Sequence, residues 1–136
     1  MRVKLDEGAY MPDRAHKDDA GLDLRARETQ IVCAKEDAFF DTGVHIELLE
    51  GTAGLIVSKS GLCKNHGITS TGLIDSGYTG SIGVTLFNHS GYDYKVNAGD
   101  KISQLVIIPI LIPELELVDE LEETERGANG FGSSGK

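Results

Sequence analysis

The amino-acid pattern predicts a small all-β fold, a distorted barrel or jelly-roll-like subunit with at most one short helix. Three observations carry this. Strand-like runs recur about every eight to twelve residues, with turn signals between them. Glycine is abundant, at 17 residues, which favours many turns over long helices. Trp is absent and aromatics make up only 6% of the chain, so Val, Ile and Leu must fill the interior. A chain of 136 residues is long enough to bury one core of its own.

Taken in order, residues 2–6 read as a first strand and residues 8–19, with Pro12 and mixed charges, as a connection. In the stretch 19–26, Leu22, Leu24 and Ala26 alternate with Asp23 and Arg25. Period two turns Asp23 away from the core and, taken alone, makes it a solvated strand residue. Residues 29–34 and 41–48 read as further strands, separated by an acidic turn at Lys35-Glu36-Asp37. A turn at 51–54 leads into Leu55-Ile56-Val57, which delivers Ser58-Lys59-Ser60-Gly61-Leu62. A hydroxyl, a cation and a glycine at a strand end suit a phosphate cradle, and equally an ordinary polar loop. Residues 61–66 are the only helix expected.

The next stretch, Thr71-Gly72-Leu73-Ile74-Asp75-Ser76-Gly77-Tyr78-Thr79-Gly80, runs two apolar residues directly into a carboxylate. It predicts a β-hairpin of three to five loop residues whose inner edge carries one acid and one aromatic. Strands follow at 81–88 and 92–96. After a turn at 98–100, the longest strand, 101–110, has Gln104 near its start, a side chain that needs a partner if buried. Leu115 and Leu117 alternate with Glu114 and Glu116 in a last, exposed strand. The composition then changes. Residues 1–125 form the barrel domain, and residues 126–136 a glycine-rich C-terminal flap, mobile when free. In it Phe131 stands between two glycines, with Arg126 before it and Ser133 and Ser134 after it. Those residue types suit covering a base and gripping phosphates.

Charge and cysteine usage narrow the function classes. The net charge of −9 argues against a nucleic-acid surface. Seven of the acids lie within residues 114–125, without Lys or Arg, and the remainder carries only −2. An anionic ligand therefore needs local donors or a metal. Cys33 and Cys63 make no CxxC pair and read as reduced thiols in a cytoplasmic protein. The histidines make no zinc spacing. Neither a membrane span nor a signal peptide is visible.

Five stretches, in order and spacing, resemble the motif set of the trimeric deoxyuridine triphosphatases (dUTPases): Ala20-Gly21-Leu22-Asp23-Leu24, Ser58-Lys59-Ser60-Gly61, residues 72–80, Ala98-Gly99-Asp100-Lys101-Ile102-Ser103-Gln104, and residues 126–135. The resemblance implies hydrolysis of dUTP to dUMP and pyrophosphate by water attack on the α-phosphorus, with Mg2+ on the triphosphate. It also implies a homotrimer with shared active sites. By the same resemblance, Asp75 activates the water and Tyr78 packs under the deoxyribose, excluding a 2′-hydroxyl. Backbone at Gly72 and Leu73 reads the uracil edge, Asp23 orients magnesium-bound waters, Ser60 and Gly61 hold phosphate oxygens, and Gln104 contacts the phosphates. Arg126 grips the γ-phosphate, Phe131 stacks on the base, and Gly132, Ser133 and Ser134 add donors. The family usually has Arg where this chain has Lys59, and Lys lacks the bidentate fork, so position 59 is assigned only a possible phosphate contact.

Two rivals fit less well. The dCTP deaminases resemble the same fold but need an acid/base Glu directly after the hairpin aromatic, where this chain has Thr79. A nucleotide-sensing regulator that binds dUTP and a protein partner would not need the intact Asp75 and tail.

Overall fold

The computed structural model describes residues 1–128 and is all-β with one short helix. The strands are β1 (Arg2–Leu5), β2 (Gly21–Arg25), β3 (Gln30–Val32), β4 (Asp37–Asp41), β5 (Val44–Glu47), β6 (Thr52–Ser58), β7 (Ile68–Ile74), β8 (Gly83–Asn88), β9 (Tyr94–Val96) and β10 (Lys101–Pro109). Helix α1 (Ser60–His66) joins β6 to β7 and stops at Gly67, whose φ of 66° supplies the left-handed cap. Six strands form one curled, half-barrel sheet in the order β2-β10-β6-β7-β8-β4. Two antiparallel ribbons, β1-β5 and β3-β9, complete the subunit.

Alternation places the core. Leu22 and Leu24 of β2, Phe40 of β4, Ile56 of β6, Ile68 of β7, Val84 and Leu86 of β8 and Leu105 of β10 meet inside, joined by Val44, Ile46 and Ile82. Each such side chain contributes about 1.5–3 kcal/mol by leaving water. These residues, aliphatic apart from Phe40, fill the interior without Trp.

Four sequence expectations are corrected. The strand expected at 41–48 is two elements. Gly43, at φ 67°, turns the chain between β4 and β5; the expected acidic turn does form at Lys35 (φ 65°) and Glu36, with Asp37 already opening β4. The hairpin expected at 71–80 is not tight. The β7–β8 ladder covers only Ile68↔Asn88, Thr69↔Phe87 and Ser70↔Leu86, and the rest of β7 pairs with β6 alone, from Thr71↔Val57 to Ile74↔Gly54. No strand forms at 114–117, where Leu115 is 95% and Leu117 fully exposed. The β10–β6 ladder ends at Pro109↔Thr52, where β6 begins, so the chain beyond has no strand left to pair with. Asp23, finally, does point away from the core but is buried, at 4% exposure. Residue 13 bridges its backbone, and side chains from β10 and the β6–α1 junction cover its carboxylate.

Candidate active site

The expected site residues fall into two groups, at opposite ends of β6. At its C-terminal end, Asp23, Lys59, Ser60, Gly61 and Gln104 gather. The register sets this: Gln104 faces Asp23 on one side and Val57 on the other. Lys59 donates to Asp23 Oδ1 at 2.5 Å and Lys101 to Oδ2 at 2.6 Å, while Gln104 Nε2 lies 3.4 Å from Oδ1. Asp13 adds a second carboxylate, 3.7 Å from Lys101 Nζ and 3.5 Å from Arg25 Nη2. Three cations against two carboxylates leave this patch at +1 within an acidic chain. Gly21 makes room for it, since a Cβ there would come within 3.0 Å of the Gln104 Cβ. Beside the patch, Ser60 and Gly61 open α1, whose first-turn amides lack intrahelical acceptors.

Burial alone would push the Asp23 carboxyl up, but hydrogen bonds from Lys101 and Lys59, with their charges, hold it below the usual carboxylate range. Its folded value is thus below its unfolded one, about 3.9. The stabilisation is present above that unfolded value and is lost as pH falls through the folded one. We therefore expect Asp23→Asn to cost about 1–3 kcal/mol at neutral pH, the range for leaving buried groups unsatisfied. The gap in melting temperature from the parent chain should close on titration below about pH 4. Thermal denaturation from neutral to acid pH checks this; a gap independent of pH would count against the ion-pair account.

At the other end of β6, the splay between β7 and β8 opens a cavity of about 320 Å³ lined by Phe39, Leu73, Asp75, Tyr78, Ser81 and Gly83. Because β8 leaves β7 beyond Ser70, the backbone edge of Gly72 and Leu73 on that side is not in a ladder. Asp75 is exposed, and among the described residues none hydrogen-bonds its carboxylate. Its main-chain carbonyl accepts from Tyr78 N at 3.0 Å, closing a turn at the cavity's rim. The Tyr78 hydroxyl folds back to donate to the Ser81 carbonyl at 2.9 Å. That path requires Gly80, because a Cβ there would sit 2.4 Å from the hydroxyl.

Along β6 the two groups are six residues apart, from the level of Asp75 to Lys59, which is roughly 20 Å of extended strand. One chain therefore does not bring Asp75 and the cationic patch onto one nucleotide. Arg126 is described and exposed. Phe131, Gly132, Ser133 and Ser134 lie outside the described residues.

Sequence reasoning missed several neighbours of the site. Phe39 was legible, because in Asp37-Ala38-Phe39-Phe40-Asp41 burying Ala38 and Phe40 must turn Phe39 outward. Lys101 and Asp13 were not, because their relation to Asp23 depends on which strands pair.

Among the described residues, no group of three or more His, Cys, Asp or Glu stands ready to hold a metal. Both Asp23 oxygens are already engaged by lysines. With both oxygens engaged, Asp23 could meet a phosphate-borne magnesium ion only through that ion's waters, not as a direct ligand. No helix of the described residues is long and apolar enough to cross a membrane.

Comparison with known proteins gives a consistent picture. A family model described as dUTPase matches residues 7–135. The chain is 43% identical over 135 residues to the deoxyuridine 5′-triphosphate nucleotidohydrolase of Clostridium acetobutylicum, covering 97% of this chain and 93% of that one. It is 45% identical over 133 residues to the mitochondrial enzyme of that name from Dictyostelium discoideum, covering 97% and 74%. Among solved structures, the Staphylococcus bacteriophage 80alpha dUTPase with dUPNHPP superposes with a TM-score of 0.93 at 36% identity, covering 99% and 98%. A mutant dUTPase from phage phi11 of S. aureus, solved to show the coordination of a structural Mg(II) ion, superposes at 0.83 with 35% identity, covering 90% and 98%.

Proposed function

Since the chain belongs to the dUTPase family and is a dUTP diphosphatase, we propose that it cleaves dUTP by water attack at the α-phosphorus, in sites shared between copies of the chain. The observation that carries this is Asp75: an exposed carboxylate with no hydrogen-bond partner among the described residues, on the rim of the cavity where β7 leaves β8. A general base must lie within hydrogen-bond reach of the water it deprotonates. The water oxygen bonds to the α-phosphorus as the bond to the bridging oxygen breaks. Pyrophosphate leaves, and the water proton passes to the Asp75 carboxylate.

The unladdered backbone at Gly72 and Leu73 would read the uracil edge, and Tyr78 would pack under the sugar. Ser60, Gly61 and Gln104 would hold phosphate oxygens, with Lys59 and Lys101 adding positive charge. Arg126 and the residues at 131–134 would close over the nucleotide, as a terminal flap distinct from the barrel of residues 1–125. Magnesium carried by the triphosphate would neutralise charge on the leaving pyrophosphate. Asp23 would hold its waters, on exchanging one lysine for them. The roughly 20 Å between the two ends of β6 supports sharing, because reacting atoms must be held about 3–3.5 Å apart. A homotrimer in which one copy offers its Asp75 cavity to another's cationic patch meets that need.

Pyrophosphate release from dUTP, UTP, dCTP and dTTP, each with and without magnesium, tests the reading; equal rates on all four would sink it. For the sugar, Tyr78→Ala should raise UTP hydrolysis relative to dUTP about tenfold or more, since a filled space discriminates on that scale. An unchanged ratio of kcat/KM values would place sugar selection elsewhere.

A further inference from the structure

The loop carrying Tyr78 is held from one side by the chain around β4 and β5. Ser81 hydrogen-bonds Asp41, Thr42 Oγ1 donates to the Ile82 carbonyl at 2.7 Å, and Ile82 N donates to the Val44 carbonyl at 2.8 Å. The fourth tie is different. His45 Nδ1 lies 2.9 Å from the carbonyl oxygen of Thr79, the residue after Tyr78. Its other nitrogen, Nε2, is sealed from solvent and lies 3.1 Å from Asp6 Oδ1, an ion-pair contact without hydrogen-bond geometry.

Both neighbours can only accept protons. A neutral imidazole carries one proton and would leave a lone pair against either a carbonyl or a carboxylate. Only the imidazolium turns a proton toward both, so these two neighbours favour the charged form of His45. The other charged groups nearby are Lys4 and Arg2 of β1, Glu47 of β5, and Asp41. Asp6 is itself approached by Lys4 at 3.9 Å and Arg27 at 3.8 Å. The Thr79 carbonyl first, and then Asp6, raise the His45 value above that of a free imidazole, with Lys4 and burial opposing.

We propose that His45 is a positioning residue whose imidazolium, clamped between Asp6 and the Thr79 carbonyl, fixes the loop that presents Tyr78 and so couples sugar discrimination to pH. When His45 loses a proton, the one that remains is drawn to Nε2 by the charge of the Asp6 carboxylate, 3.1 Å away, in preference to the neutral Thr79 carbonyl. The Thr79 carbonyl is then released. The specificity consequence rests on the role proposed for Tyr78; the clamp does not.

The clamp is therefore read first without substrate. In amide NMR spectra of the intact oligomer, the Thr79 and Gly80 signals should titrate together with the His45 ring, at a pH above the ordinary imidazole value. In His45→Asn, which keeps a donor near the Nδ1 position but cannot charge, that titration should vanish. The ratio of kcat/KM for dUTP over UTP should then fall about fivefold across the titration in the parent chain, the factor for one net hydrogen bond. It should stay flat in His45→Asn and in Asp6→Asn. Loop signals that ignore the His45 titration overturn the clamp. The same pH-dependent fall in His45→Asn overturns it too, because another group would be titrating. Should Tyr78→Ala leave the ratio unchanged while the loop still co-titrates with His45, the sugar-gate reading fails and the link to specificity is overturned with it.

Discussion

Asp75→Asn is expected to lower kcat by about 10²–10⁴ while leaving nucleotide binding close to normal. The substitution keeps the shape and the main-chain turn, since the hydrogen bond from Tyr78 N goes to the Asp75 backbone carbonyl and not to its side chain. What it removes is basicity. An exposed carboxylate with no partner among the described residues contributes nothing to stability through side-chain bonding, so its loss should leave the melting temperature unchanged. Parent and variant should bind a non-hydrolysable dUTP analogue alike and differ in single-turnover release of pyrophosphate. Turnover near the parent rate would end the assignment of Asp75 as base. A matching loss of binding would mean that its charge holds the ligand.

The β class was legible because period-two alternation acts locally. Leu22, Leu24 and Ala26 announced one buried face, and the structure buries all three. What stayed hidden depended on pairing. The sequence 71–80 looks like a hairpin because turn residues sit between two apolar runs, yet its first run pairs with β6, leaving the β8 side open. Nothing within those ten residues encodes that choice. Asp23 shows the same limit. Its alternation correctly turned it off the core face, but Lys59 and Lys101, 36 and 78 residues away in sequence, bury it. Position 59 was doubtful as a phosphate ligand by comparison with the Arg usual in the family. The structure gives it a concrete partner in Asp23, so Lys59 and Asp23 should respond together to substitution. The motif residues were readable one by one, whereas their separation into two ends of β6 was not. That separation comes from the β2-β10-β6-β7 order, which no motif spells out.

Deleting residues 126–136 should cut kcat by about 10²–10³, change dUMP binding little, and leave the melting temperature unchanged. The stability expectation follows from exposure: residues 111–128 are exposed throughout, and among the described residues the last side chain packed against the core is Ile107. The activity expectation follows from opposing terms. Holding the segment in one conformation over the nucleotide costs about 1–2 kcal/mol for each residue fixed, and its glycines at 127, 130, 132 and 135 sit at the expensive end of that range. Phe131, if stacked on the base as proposed, would return about 1–3 kcal/mol. Arg126, in the role proposed for it, would add charge-assisted hydrogen bonds to the terminal phosphate. The ordering cost absorbs these gains, so little remains as ground-state affinity. In the proposed attack on the α-phosphorus, negative charge would grow on the leaving pyrophosphate, and donors already fixed around it in a water-poor site would gain strength. A single preorganised donor of this kind is worth about 10²–10³ in rate, which sets the size of the expected loss. Arg126→Ala alone should reproduce much of it, and Phe131→Ala should raise KM more than it lowers kcat. A truncated chain that turns over dUTP at the full-length rate would show that the segment takes no part in the reaction.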